Sequence, residues 1–207
     1  MIRGKFITLE GGEGVGKTTN LHFISSYIQE HGIPVIVTRE PGGTPLAEKI
    51  RKLLLDNDSE AVSETTELLL VFAARAQHIQ HVIEPALAQG TWVICDRFTD
   101  ATYAYQGGGR NMRISTIESL ENWVQGTLRP DLTILLDAPV EIGLERARQR
   151  SALDRFESEK TNFFEQVRRA YLLQLELNPQ RIKLIKANQP LIDVQKALID
   201  LIQPLLK

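Results

Sequence analysis

Gly11-Gly12-Glu13-Gly14-Val15-Gly16-Lys17-Thr18 fits the pattern G-x-x-x-x-G-K-[ST], and each part of that spacing has a use in holding phosphate. Glycines permit positive φ and close backbone approach. Successive N–H groups can therefore converge on phosphate oxygens at a helix N-terminus, where the dipole also favours negative charge. Lys17 then reaches the outer phosphates, Thr18 is placed to hold Mg²⁺, and Thr19 carries the loop into the helix. Five further features carry polar chemistry: Thr38-Arg39-Glu40-Pro41-Gly42-Gly43, the Phe72 to Arg75 turn, Asp96-Arg97-Phe98, Tyr105-Gln106-Gly107-Gly108-Gly109-Arg110, and the arginines Arg146, Arg148, Arg150 and Arg155. The planar fork of arginine suits bidentate phosphate contact, so Arg39 and Arg97 point to a second phosphate besides those on the loop. The chemistry implied is phosphoryl transfer between two phosphate-bearing ligands.

These residues need a frame that brings them together. Short apolar runs at Lys5 to Leu9, Pro34 to Thr38, Trp92 to Cys95, Leu132 to Leu136 and Ile182 to Ile185 alternate with helical patterns, which predicts an α/β fold with a mainly parallel sheet. Thr18 to Glu30 reads as the first helix, stopped at His31-Gly32, and Leu46 to Leu55 as the second. Thr65 to Gln89 is helical in pattern, with a kink or break near Glu84 because of Pro85. Ser115-Thr116-Ile117-Glu118 has capping-box spacing and predicts a helix opening there and running to about Gln125. Another helix follows Asp137-Ala138-Pro139-Val140 through Leu144 and Ala147, and the stretch Glu157 to Glu176 reads as a helix packed on the sheet without chemistry. In open α/β sheets ligands bind beyond the carboxyl ends of the strands, so Arg39, Asp96 and Arg97 should share one crevice with the phosphate loop.

The 207 residues predict one domain, with no Ser/Pro-rich linker to divide them. Net charge is -2, and its 24 basic and 26 acidic residues are interspersed, which argues against a sequence-independent nucleic-acid binder. The single cysteine, Cys95, sits in an apolar run and suits a reducing compartment as a small buried hydrophobe. No apolar run is long enough to span a membrane, and Arg3, Lys5 and Glu10 interrupt any signal-like segment, so a soluble cytoplasmic protein is expected. His22, His31, His78 and His81 lack a second metal-ligand type at suitable spacing, which favours surface or helix-packing roles over a zinc site.

The blocks GGEGVGKTT, TREPGGTPLAEKIR, LLLVFAARAQH, DRFTDATYAYQGGGR and ERARQRSALDRFE together resemble bacterial thymidylate kinases, from the first strand to about Phe156. A weaker echo follows in Ala187-Asn188-Gln189-Pro190. The resemblance implies a P-loop NTPase fold of the nucleoside monophosphate kinase type, a five-stranded parallel sheet flanked by helices, ATP and Mg²⁺ as cofactors, and phosphorylation of dTMP to dTDP for dTTP synthesis. It also implies a homodimer that binds neither nucleic acid nor membrane. Carried over residue by residue, it assigns Gly11 to Thr19 to ATP, Arg39 and Arg97 to the acceptor phosphate, and Thr18 and Asp96 to the metal. Glu13 is assigned to the deoxyribose 3′-hydroxyl and metal site, Thr102 to the pyrimidine edge, and Tyr105 to the face of the sugar, with Gln106 and Arg110 in the same pocket. Arg75 is implied as the base-contacting arginine. Family members commonly carry phenylalanine where Val71 stands, and Phe72 is taken as the stacking ring in its place.

The segment at about 146–156 resembles the family's lid. Because the P-loop holds no arginine, the subtype with its catalytic arginine in the lid is implied, with Arg150 first and Arg155 and Arg146 behind it. Lys17, Arg97, Glu13 and a lid arginine would then form the catalytic set, Arg146 also contacting ATP. Rival readings are a deoxynucleoside kinase or another nucleoside monophosphate kinase; the first needs a carboxylate base for a sugar hydroxyl, and two arginines for an acceptor phosphate argue against it. A GTP-binding switch would show Asn-Lys-x-Asp, which is absent, and a plain ATPase would turn over without an acceptor.

Overall fold

The computed structural model describes residues 3–56, 60–150 and 154–206, with only the backbone described at Arg150. Five parallel strands, β1 (Phe6–Glu10), β2 (Val35–Arg39), β3 (Trp92–Asp96), β4 (Leu132–Asp137) and β5 (Ile182–Lys186), form one sheet in the order β2-β3-β1-β4-β5. Each begins within one residue of the apolar run that predicts it and ends one residue beyond it. Central β1 is buried along its whole length, as expected for a strand covered on both faces, whereas β2 lies at the edge and is half-exposed. One face packs Ile7, Leu9, Ile94 and Ile134 against Leu21, Ile24 and Ile28 of α1 (Lys17–Glu30) and Leu198 of the C-terminal helix Leu191–Ile202. The other packs Phe6, Val93 and Cys95 against Ile79, Ile83 and Leu87.

Helix ends follow local chemistry in most places. α1 closes where Gly32, at φ 75°, lets its N–H reach Gln29 O at 2.9 Å and that of Ile33 reach Ile28 O at 3.4 Å, a Schellman pair. α2 (Pro45–Leu55) opens with Thr44 accepting from the Ala47 N–H at 3.1 Å. α3 (Glu64–His78) passes into a π-helical turn, Ile79–Ile83, before α4 (Glu84–Ala88), so the break expected near Glu84 is absorbed by widening the helix just ahead of Pro85. After β3 the chain makes the short α5 (Thr99–Thr102) and a π-helical turn at Tyr103–Gly109.

The capping-box expectation is corrected. Helix α6 (Ile114–Gln125) ends as expected but starts before Ser115, because the Arg113 carbonyl already accepts from the N–H groups of Thr116 and Ile117. Ser115 is thus inside the first turn, and its carbonyl takes the Ser119 hydroxyl instead. α7 (Val140–Arg150) follows β4, and α8 (Thr161–Leu177) precedes β5. No helix among the described residues is long and apolar enough to cross a membrane.

Candidate active site

The carboxyl ends of β1, β2 and β3 open on a cavity of about 820 Å³. The loop after β1 forms one wall. Gly14, at φ 64°, lies so close to α7 that a Cβ there would stand 2.0 Å from the Gly143 carbonyl oxygen, so backbone packs directly on backbone and only glycine fits. Glu13 to Thr19 line the cavity. Lys17 is buried, its Nζ donating to Gly12 O at 2.7 Å and Gly11 O at 3.3 Å, and burial, followed by the nearby Arg97, lowers its pKa. Thr18 is exposed on the same wall, and Asp96 Oδ1 is buried there with no hydrogen-bond partner among the described residues. A buried carboxylate oxygen with no partner among the described residues and a threonine hydroxyl lining the same cavity are hard oxygen donors of the kind that suit Mg²⁺.

Arg97 holds the junction of the two walls. Its φ of 65° is in the left-handed region, and the backbone is held there by the neighbouring Phe98 N–H, which donates to the Glu10 carboxylate at 2.6 Å. The guanidinium donates to Gly11 O at 2.8 Å, to the Tyr171 hydroxyl at 3.0 Å and to Glu13 at 2.7 Å, and lies 4.7 Å from the Tyr105 ring centroid. Tyr105 in turn donates to Glu13 at 2.6 Å. Glu10 and Tyr171 lie beneath this cluster, the Tyr171 hydroxyl donating to Glu10 at 2.8 Å. Burial, then the like charge of Asp100, raises the Glu10 pKa to about 8 against the opposing pull of Arg97.

The far wall is built on Arg75, which is 1 % exposed. Nε donates to Glu40 at 2.7 Å, and Nη2 donates to Phe98 O at 3.1 Å and Thr102 Oγ1 at 3.0 Å. The rings of Phe72 and Phe98 lie 4.8 and 5.1 Å from the guanidinium. Nη1 is buried with no hydrogen-bond partner among the described residues. The second Glu40 oxygen meets His78 Nδ1 at 3.0 Å, and His78 Nε2 meets Thr38 Oγ1 at 2.7 Å. His78 is therefore a fully buried member of a polar network, a role its lone position in sequence did not suggest.

Of the residues singled out in the sequence, the P-loop from Glu13 onward, Arg39, Arg75, Asp96, Arg97, Thr102, Tyr105, Gln106 and Arg146 line this one cavity. Phe72 does not. It is buried with Leu68 and Ile117, while Val71, one residue earlier and about 100° round the helix, faces the cavity. Arg39 is half-exposed and paired with Glu48 at 2.8 Å. Arg110 is bound to Glu67 and Glu159. Arg146 donates to Ala187 O at 3.3 Å. The side chain of Arg150 is outside the described residues, and Arg155 is directed to Leu54 O and Glu67 instead of the cavity. Sequence reading missed Arg51, a cavity-lining arginine that donates to Pro41 O at 3.0 Å, and the buried carboxylates Glu10 and Glu67. It also missed α8, expected to carry no chemistry, which supplies Tyr171.

Comparison with known proteins decides the family. A family profile described as thymidylate kinase matches residues 9–198. The chain belongs to the thymidylate kinase family. It is 59% identical over 203 residues to the thymidylate kinase of Pseudomonas entomophila (strain L48), covering 98% of this chain and 96% of that one. To the thymidylate kinase of Ectopseudomonas mendocina (strain ymp) it is 58% identical over 206 residues, covering 100% and 98%. The crystal structure of thymidylate kinase from Ehrlichia chaffeensis superposes with a TM-score of 0.80 at 33% identity, covering 97% of this chain and 99% of that one. The parallel sheet with its P-loop is thus the nucleoside monophosphate kinase fold.

Proposed function

We propose that this chain transfers the γ-phosphoryl group of ATP to dTMP, yielding dTDP. The observation that carries the reading is that the P-loop with Lys17, the arginines Arg39, Arg51 and Arg97, and the buried Arg75 all line one cavity. The P-loop and Lys17 supply the part of the cavity suited to a triphosphate, and Arg75 and Thr102 the part suited to a base. Arg39, Arg97 and Arg51 are available between them for an acceptor phosphate. That phosphate is already an anionic nucleophile, so the residues need only align it and meet the charge spreading over the transferred group. Mg²⁺ held by Thr18 and Asp96 would neutralise charge on the β- and γ-phosphates. Glu13 and Tyr105, locked to Arg97, form the floor against the deoxyribose, and Thr102 and Gln106 bound the base.

A lid at about 146–156 with Arg150 as its catalytic arginine, and Arg146 against ATP, completes this reading. The same reading takes 1–207 as a single catalytic domain acting as a cytoplasmic homodimer that binds neither nucleic acid nor membrane. Leu69 on α3 and Trp123 on α6, 52% and 83% exposed, are apolar groups that a second copy could cover. A coupled assay offering ATP with dTMP, dUMP, dCMP, AMP or thymidine tests the proposal. Turnover is expected with dTMP far above the others; equal turnover with thymidine, or ATP hydrolysis without any acceptor, would overturn it.

A further inference from the structure

Asp154, Arg155, Phe156 and Glu157 form a self-braced turn. The Asp154 carboxylate accepts from the N–H groups of Phe156 and Glu157, both at 2.9 Å, and Glu157 returns a carboxylate oxygen to the Asp154 N–H at 3.2 Å. This is the reciprocal bonding of a capping box. It sends two adjacent side chains to different partners. Arg155 donates from Nε to Leu54 O at 2.7 Å, satisfying a carbonyl at the end of α2, and from Nη2 to Glu67 at 2.7 Å. Phe156 lies 4.4 Å beneath the Arg155 guanidinium and meets the Tyr105 ring edge-on at 5.9 Å, on the cavity wall.

Glu67, 1 % exposed, is the shared anchor. Besides Arg155 it accepts from Gln106 Nε2 at 2.9 Å and from Arg110 Nε and Nη2, each at 3.3 Å. A carboxylate so buried depends on its cations, and loss of one must redistribute the others. Gln106, which faces the cavity, is held by the same carboxylate that holds Arg155. The turn and the acceptor-side wall are therefore mechanically one unit.

We propose that the Asp154–Glu157 turn is an acceptor-side clamp, in which Arg155 and Glu67 are positioning residues that seat Phe156 against Tyr105 and fix Gln106 for the acceptor nucleotide. Arg155 is then not the arginine that meets the transferred phosphoryl group. This inference rests on the phosphoryl-transfer reading above.

The full-length protein, Arg155→Met, Glu67→Gln and the double variant are compared in steady-state kinetics with ATP and dTMP, and by calorimetric titration with dTMP alone. In each single variant the dTMP KM and Kd are expected to rise on the order of tenfold, the scale of one charged hydrogen bond. The kcat should fall by less than about threefold, the ATP KM should hold, and the double variant should be no weaker than the worse single one, because both remove one linkage. A loss of about 100-fold in kcat at Arg155→Met with dTMP affinity intact would overturn the clamp and make Arg155 a transition-state residue. Wild-type dTMP affinity and kcat in Arg155→Met would overturn it as well. Should Glu67→Gln not fold, Arg155→Met decides alone, since that side chain is only partly buried. Failure of the unmodified protein to bind dTMP would instead strike the functional reading, so the two failures are distinct.

Discussion

Replacing Glu10 by glutamine should make the protein more resistant to alkaline conditions, although the residue lies at the foot of the P-loop. Glu10 is fully buried, and burial together with Asp100 raises its pKa from the ordinary 4.5 to about 8. Below pH 4.5 both the folded and unfolded chains hold the proton, and the contribution of this group to stability is fully present. Between 4.5 and 8 the unfolded chain has released a proton that the folded protein keeps, so stability falls with rising pH by about 1.4 kcal/mol per pH unit. Across the window the loss is on the order of 5 kcal/mol, a large part of the ~5–15 kcal/mol that holds an ordinary domain together. Glutamine is neutral throughout; its amide oxygen can still accept from the Phe98 N–H, while its NH2 faces the Tyr171 hydroxyl, whose proton loses the Glu10 acceptor at a cost that is the same at every pH of the comparison. Urea unfolding of both proteins near pH 5, 7 and 8.5 isolates the effect, because all other titrating groups are shared. The stability difference in favour of Glu10→Gln should widen by several kcal/mol from the lowest pH to the highest. A difference that stays constant would refute a buried, protonated Glu10 at neutral pH.

Three further outcomes concern the reaction itself. Lys17→Ala should abolish nearly all transfer without unfolding the chain, because the loop keeps its glycine packing against α7; near-normal turnover of a folded variant would end the donor-site reading. Arg97→Ala should weaken dTMP binding more than ATP binding by about 1.5–3 kcal/mol, the range for a charged hydrogen bond, and calorimetry showing unchanged dTMP affinity would remove it from the acceptor site. Arg150→Ala should lower the single-turnover rate by as much as about 10³-fold with ATP affinity little changed, whereas a wild-type rate would pass the role to Arg146 or refute a lid arginine altogether.

What could be read from sequence was local. Strands showed themselves because each apolar run is short, β-branched and bounded by turn residues, and the P-loop because its glycines, lysine and threonine act within a single strand–loop–helix unit. The residues that escaped notice act across long separations. Tyr171 meets Glu10 over 161 positions, and nothing in the pattern of α8 separates that ring from the apolar residues around it. His78 has no polar neighbour in sequence that explains it; its partners Thr38 and Glu40 arrive through the pairing of β2 with β3 and the loop that follows. The Phe72 error has a different origin. A spacing of three or four residues does place a ring beside Arg75, and Phe72 is beside it, but helical periodicity cannot say which side of the guanidinium faces the core.

Arg155 shows how a count of charges can mislead where a short bracing motif decides direction. Four arginines between Arg146 and Arg155 read as one basic cluster over a triphosphate, and by number alone they are equivalent. Asp154 and Glu157 make them inequivalent. Their reciprocal bonds fix the backbone at Arg155, and from that backbone the guanidinium can satisfy a carbonyl at the end of α2 and a buried carboxylate together. A solvated arginine would have given up neither hydration nor rotamer freedom for a weak surface pair; this one is held because Glu67, out of water, has few other cations to take. The D-x-x-E spacing was visible in the sequence throughout, and read as a capping box it implies that Arg155 is a fixed side chain.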